Sequence, residues 1–423
     1  MSLADPAHVR RFAAVTTPDL SPAPAISSPR PQASLDNEFE FLCALASTNP
    51  SPEHRACIAT WDLSVLDWSK FTSQAEHHGV LPLAARNLLE ISAAKSVPRI
   101  PAEIVRELQS AYATNLRRSL WFASEMLRIL QHLDSKQLPA IPYKGPVLAQ
   151  VAYGDLALRR FSDLDFLISP ADFNRAKQAL AEIGYHPSTD LTPEIERFWL
   201  RKGNERMFDG PAGKNLVELQ WAILPRFYAV DASADLAVEN LIARARRTTL
   251  GEREVPRLSA EDSLLVLCLH AAKHLWMRLI WLTDIAETLR SEAQALDHAQ
   301  VLSRTRALGI SRILGVSFCL IRNLLRKDIP AWAEQTIASD PTVPALAREF
   351  AKRLARSATY DFESTEYFRR ILKLRERPTD RTRYLWRLIW TPGQGDIAAV
   401  KLPESMFSLY RVVRLARLLR RCY

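Results

Sequence analysis

Between Asn37 and Leu133 apolar residues recur at spacings of three and four, the period of an amphipathic helix. Four helices are predicted there: Glu38–Ser47, Trp68–His78, Leu81–Ala94 and Ala102–Leu133, with Ser96-Val97-Pro98 and Ile100-Pro101 separating the last two. At Leu138 the texture changes. Through Phe161–Ser169 the alternation is that of a strand, with Leu164, Phe166 and Ile168 on one face and Asp163 and Asp165 on the other. Asp172–Ile183 is an amphipathic helix closed by Gly184. Asn204–Phe208 and Asn215–Ile223, joined across Asp209-Gly210-Pro211-Ala212-Gly213, read as a β-hairpin. Its second strand sets Val217, Leu219, Trp221 and Ile223 on one face and Glu218 and Gln220 on the other. After Pro225 the helical period returns, and Ser259-Ala260-Glu261-Asp262 caps a long helix expected to run through Met277. No internal repeat is found.

This pattern predicts an α+β chain in which a β-rich core, residues 136–225, lies between helical regions at 37–135 and 226–350. Residues 1–36 carry Pro6, Pro18, Pro22, Pro24, Pro29 and Pro31 among Ser and Ala, and read as a disordered leader. Twelve glycines in 423 residues fit a helical rather than a many-turned β architecture. Five cysteines without a C-x-x-C pair exclude a disulfide framework and a thiolate zinc knuckle, and suit the cytoplasm. No apolar run is long enough to span a membrane. The formal charge is +9, and residues 351–423 hold 17 basic against 7 acidic residues, so the excess sits in a basic tail.

Three acids carry the candidate chemistry. Asp163 and Asp165, two apart on a strand, lie roughly 6.6 Å apart along the backbone and point to one side. Two such charges repel by about 4 kcal/mol at 4 Å and an effective dielectric of 20. A bound Mg²⁺ removes that repulsion, and Glu218 on a neighbouring strand would complete a two-metal clamp. Lys144-Gly145, on a loop leading into a helix, offers a point charge and close backbone approach to a phosphate. Either feature alone is weak: a D-x-D also occurs on solvated sheet faces, and Lys-Gly occurs in plain strand-to-helix turns.

Lys144-Gly-Pro-Val-Leu148, Tyr153-Gly-Asp-Leu-Ala-Leu-Arg-Arg-Phe-Ser-Asp-Leu-Asp-Phe-Leu-Ile168 and Phe173 to Tyr185 together resemble the polymerase-β-like nucleotidyltransferase superfamily. Within it the chain is most similar to the bacterial group of uncharacterised nucleotidyltransferases. Val217-Glu-Leu-Gln-Trp221 resembles that group's third-acid strand, where a His commonly takes the place of Gln220. The likeness extends to Glu76-His-His-Gly-Val-Leu-Pro-Leu83, to Leu269-His-Ala-Ala-Lys-His-Leu-Trp276 and to Leu279-Ile-Trp-Leu-Thr-Asp-Ile-Ala286. It implies a small mixed sheet inserted between helical regions, and Mg²⁺- (or Mn²⁺-) dependent transfer of a nucleoside monophosphate from an NTP to a small molecule, peptide or RNA. Asp163, Asp165 and Glu218 match the metal acids. Lys144, Gly145, Arg159, Arg160 and Ser162 are assigned to the nucleotide. The superfamily's Gly-Ser is Gly145-Pro146 here, so a phosphate-holding hydroxyl is absent at that position.

His270, Lys273 and His274 share a helix face, at i, i+3 and i+4. They read either as a hydrogen-bonded surface or as cleft residues that meet phosphate or acceptor; Lys273 argues against zinc. Asp284 reads as an internal salt-bridge partner. In the tail, Arg411, Arg414, Arg417, Arg420 and Arg421 oppose Leu409, Val413, Ala416 and Leu419. This helix is expected to pack on the core with a solvated cationic face, to lie on a membrane surface, or to contact nucleic acid. Two other activities compete with nucleotidyl transfer: a nucleotide-sugar glycosyltransferase that uses the D-x-D, and a nucleotide-binding scaffold without turnover.

Overall fold

The apolar spacing at the N-terminal end becomes α1 (Asn37–Leu45), α2 (Pro52–Ala59), α3 (Trp68–His77), α4 (Leu81–Ala93) and α5 (Ala102–Ser135). The computed structural model describes residues 36–93, 100–230 and 235–420. The leader reading for residues 1–36, save Asp36, lies outside the described residues, as do Ser96-Val97-Pro98, Arg421 and Cys422. Periodicity missed α2, a local element. Ser51 caps it by accepting from the His54 amide, and Pro52 opens its first turn. Gly79 turns α3 into α4 at φ +74°; a Cβ there would press on Ile280 at 3.3 Å. Helix α5 runs for 34 residues, about 51 Å at 1.5 Å per residue. Its C-terminal half buries Phe122, Met126, Ile129 and Leu133 against the sheet.

The sheet is built from β1 (Ala140–Pro142), β2 (Leu164–Ile168), β3 (His186–Pro187), β4 (Glu205–Gly210) and β5 (Gly213–Gln220), with α6 (Gly145–Leu148), α7 (Phe173–Glu182) and α8 (Pro193–Lys202) between strands. The spatial order is β1-β2-β5-β4-β3. Only β2 and β5 run parallel; the other neighbours are antiparallel, so the sheet is mixed. The α+β class holds. Register follows from burying one face: Leu164, Phe166, Ile168, Val217, Leu219 and Phe208 all join the apolar cluster under α5 and α7. The same register sets Asp165 beside Glu218, and Glu205 beside Gln220, on the other face.

After the sheet come α9 (Val238–Ala243), a second hairpin of β6 (Arg246–Leu250) and β7 (Arg253–Arg257), and helices α10 (Ala260–Lys273), α11 (Leu279–Ser291), α12 (His298–Leu308), α13 (Ser311–Leu324), α14 (Ala331–Ala338) and α15 (Val343–Ala355). The chain closes with α16 (Thr365–Leu374), α17 (Pro378–Trp390), α18 (Gln394–Ala399) and α19 (Tyr410–Arg420). The hairpin corrects the expectation of unbroken helix after Pro225. Half of its strand residues are charged, and only Leu250 and Val255 reach the sheet-side core. The helix expected through Met277 stops at Lys273, because Leu275 and Trp276 take left-handed backbone at φ +49° and +50°. That conformation is held where Trp276 is fully buried and its indole donates to Ser317 Oγ at 3.1 Å.

The terminal helix follows the expectation in part. Val413 packs on the core beside Tyr410, and Arg411 and Arg420 are exposed. Arg414, however, faces inward; its Nε donates to the Leu388 carbonyl at 2.9 Å and its Nη1 lies 3.4 Å from Asp396. Arg417 pairs with Glu363 at 2.7 Å and with Asp396. Leu409 and Leu419, expected to pack inward, face outward. Distant acids thus share the inner face with apolar side chains.

Candidate active site

The polar face of the sheet forms one wall of a cavity of about 540 Å³, and α10, α11 and the segment around Phe362 form the opposite wall. All eleven residues singled out above line it: Asp163, Asp165, Glu218, Lys144, Gly145, Arg159, Arg160, Ser162, His270, Lys273 and His274. Strand alternation aims Asp165 and Glu218 inward from adjacent strands, and Asp163 follows from the residue just before β2. Gly145 sits at φ +54°, a conformation that disfavours a side chain, with its Cα face against the Asp163 carbonyl. Thus the Lys144-Gly145 turn and the D-x-D strand touch.

The acids are joined by a hydrogen-bond network. Tyr143 Oη donates to Gln220 Oε1 at 2.7 Å, which orients the amide. Gln220 Nε2 then donates to Asp165 Oδ1 at 3.0 Å and to Glu218 Oε2 at 2.8 Å. Lys144 Nζ lies 2.9 Å from the same Asp165 oxygen. Burial opposes the Lys144 charge, yet Asp165, Asp163 and Glu218 hold its pKa above the ordinary lysine value. Burial and the nearby charges of Asp165 and Glu205 push Glu218 up to about 8. Burial and Asp165 likewise raise Asp163.

Three carboxylates and no thiolate suit a hard divalent cation. Burial first, and neighbouring carboxylates second, raise Asp163 and Glu218, a cost that such an ion would offset. Among the described residues, however, no three His, Cys, Asp or Glu side chains converge as a ready metal cage. The Gln220 amide bridges Asp165 and Glu218, and the Lys144 ammonium rests on Asp165. The donor chemistry suits a hard cation, but Lys144 and Gln220 occupy the carboxylate oxygens such an ion would need.

Arg159 needs reassignment. Its Nε and Nη2 form a two-point pair with Asp284 at 2.8 and 2.9 Å, and Tyr153 Oη adds a third bond to Asp284 at 2.7 Å. Asn115 holds the same loop through the Ala157 carbonyl at 2.7 Å. The arginine expected on the triphosphate therefore clamps the loop to α11 and is not free to bind phosphate. Arg160 is exposed at the cavity mouth and forms no ion pair among the described residues, as is true of Arg278. Burial, followed by Lys144 for His270 and by Lys273 for His274, lowers both imidazoles well below the usual value. Both shifts favour the neutral imidazole, and the two rings pack on each other and on Trp281. Lys273 keeps a loose contact of 3.9 Å to Glu205.

Sequence reasoning missed four features of this cavity. Glu205 is a fourth acid, visible in principle by folding the hairpin across Gly210–Gly213, which sets it opposite Gln220. Tyr143 orients that glutamine. His77 reaches the rim from the Gly79 turn, where Ile280 N donates to the His78 carbonyl at 3.1 Å. Finally, Trp281 and Phe362 close the far wall, with ring centres 4.8 and 5.3 Å from His274.

Compared with known families, residues 64–326 match the family described as uncharacterised nucleotidyltransferase. The chain belongs to that family. The match runs from before α3 to just beyond α13, so it contains every cavity residue named above except Phe362. Among curated proteins and among solved structures nothing matches. Nucleotidyltransferases generally use NTPs and divalent metals, and the cavity of this family member is lined by both carboxylates and cationic side chains.

Proposed function

We propose that this nucleotidyltransferase moves a nucleoside monophosphate from an NTP to an acceptor hydroxyl, phosphate or amine. The acceptor atom bonds to the α-phosphorus as the bond to the β-phosphate oxygen breaks, and pyrophosphate leaves. One observation carries this reading: carboxylates from two adjacent parallel strands share a cavity with Lys144, whose ammonium rests on Asp165, and with Arg160 and Arg278 at the mouth. Asp163, Asp165 and Glu218 would hold Mg²⁺ or Mn²⁺, which when bound would supply charge neutralisation for the triphosphate and acidify the acceptor. Lys144 leaves Asp165 for the phosphates, a distance its four-carbon stem can cover. Arg160, Ser162 and Arg278 meet the triphosphate from the mouth. The Trp281–His274–Phe362 wall offers flat surfaces for a base or for the acceptor. Catalysis in this scheme comes from positioning and charge, not from a covalent enzyme intermediate.

A second reading has its own support. Lys144 and Gln220 already satisfy Asp165, so the chain could bind nucleotide without turnover. Pyrophosphate release, measured with each of the four NTPs against fractionated cell extract, separates the two. Release that requires Mg²⁺ and disappears in Asp163→Asn supports transfer. Mg²⁺-dependent thermal stabilisation by NTP with no release in any fraction supports the scaffold.

A further inference from the structure

The C-terminal segment has two features that the transferase reading leaves unused. The first is apolar surface. Of thirteen large hydrophobic residues exposed among the described ones, nine fall between Leu385 and Leu419. Leu409, Val412, Leu415 and Leu419 recur at helical spacing along α19, and Val412 is 60% exposed. Helix α17 packs against α19 and adds Trp386, 63% exposed, whose ring centre is 5.4 Å from that of Trp390. This stripe faces outward because Arg414 and Arg417 occupy the inner face with Asp396 and Glu363. Single exposed leucines are ordinary, whereas a periodic stripe beside paired tryptophans marks a contact surface.

The second feature is a cavity of about 460 Å³, lined by Lys202, Arg226, Trp221 and Trp390 among others. Neither Lys202 nor Arg226 has an ion-pair partner among the described residues. Glu239, the acid in the lining, accepts a hydrogen bond from Ser169 at 2.8 Å. Burial, and then repulsion from Arg226, Arg411 and Arg201, lowers the Lys202 pKa below the ordinary lysine value. Arg411 lies on α19, so the uncompensated cations adjoin the apolar stripe.

We infer that this face docks on a bilayer surface rich in anionic lipid. The Leu409–Leu419 stripe and Trp386 enter the headgroup boundary, and lipid phosphate groups neutralise Lys202, Arg226 and Arg411. The combination of a basic rim, an apolar helix face and tryptophans is that of an interfacial helix. A second copy of the chain fits poorly, because a two-fold contact would set Arg411 and Arg420 against their own equivalents. Nucleic acid would use the cations but has no partner for a Leu and Val stripe. Among the described residues no helix is long and apolar enough to cross a membrane, and the contact inferred is a peripheral one.

Co-sedimentation of the full chain with phosphatidylcholine vesicles, with and without phosphatidylglycerol, tests the inference. The expected result is binding that rises with phosphatidylglycerol, falls with salt and shifts tryptophan emission to the blue. Replacing Val412, Leu415 and Leu419 by Ser, all at exposed positions, should keep the circular dichroism spectrum and melting temperature and lower partitioning at least about tenfold. Lys202→Ala with Arg226→Ala should remove the preference for phosphatidylglycerol and leave weak binding to phosphatidylcholine. Four outcomes would overturn the inference: no vesicle binding at any lipid composition, binding unchanged by the triple serine exchange, a stable dimer that requires the same three side chains, or retention of single-stranded RNA through Lys202 and Arg226 in the absence of vesicle binding.

Discussion

Asp262, Asp284 and Glu287, deep in the helical scaffold, each meet a matched set of donors that includes a cation, whereas Asp163 and Glu218 at the sheet have no ion-pair partner among the described residues. Asp262 takes Arg244, Arg304 and Ser259; Asp284 takes Arg159 and Tyr153; Glu287 takes Lys327, Arg290 and Thr48. Against the cost of burial, those cations hold Asp262 and Glu287 below their ordinary pKa values. On the sheet the sign reverses: burial and neighbouring carboxylates raise Asp163 and Glu218. The same side-chain type thus serves two ends. An acid that holds the fold together is matched by the chain itself, and an acid left without a cationic partner in a cavity is a candidate for a functional role.

The strongest way to break this comparison is to remove charge on the sheet. Asp163→Asn or Glu218→Gln should lower pyrophosphate release by about 10³-fold or more, with no loss of thermal stability. A variant that keeps a tenth of wild-type release would end the metal-acid assignment. In the scaffold the order inverts. Asp284→Asn leaves the Arg159 guanidinium buried against a neutral amide and should cost about 3–5 kcal/mol in denaturant unfolding, while Glu218→Gln moves stability by less than about 1 kcal/mol near pH 6. Equal destabilisation by the two would erase the distinction.

Acidity gives a finer test. Because Glu218 titrates near 8 in the folded chain and near 4.5 when unfolded, the folded state holds the extra proton between those values. Its contribution is complete below pH 4.5 and is lost as pH rises to 8, by at most about 1.4 kcal/mol per pH unit. Glu218→Gln lacks that slope, so its stability relative to wild type should grow toward alkaline pH. His78 acts in the opposite direction. Burial, with the charges of His77 and Arg278, lowers it to about 3, so its contribution is lost as pH falls from 6.5 toward 3. Unfolding curves from pH 4 to 9 on wild type and Glu218→Gln read both slopes. The smallest effect is expected of Tyr143→Phe, which frees the Gln220 amide to turn and should cost about 1 kcal/mol.

What could be read along the chain was parity and period. Alternation in Leu164–Ile168 and Val217–Trp221 put Asp165 and Glu218 on the polar side before any pairing was known, and the helices α1 and α3–α5 followed from their apolar spacing. What could not be read were partners far away in the chain. Arg159 sits four residues before Asp163 and so suggested a phosphate ligand, but the residue it needs is Asp284, 125 positions on. Helix α19 offers two plausible faces on a helical wheel, and only Asp396 and Glu363 decide between them. The β6–β7 hairpin hid because charged residues and threonines fill most of its positions, so the alternation that marks a half-buried strand is nearly absent.

Under the proposed function, the Lys144–Asp165 contact would make entry of a metal ion an exchange rather than an addition. An ion arriving alone would have to displace an ammonium that stays leashed within a few ångströms. An ion already chelated by a triphosphate would bring the anion that draws the lysine away, so one event would free the carboxylate and give the displaced charge a new partner. Discrimination between free metal and metal–nucleotide would then reside in a single side chain, two residues beyond the first strand.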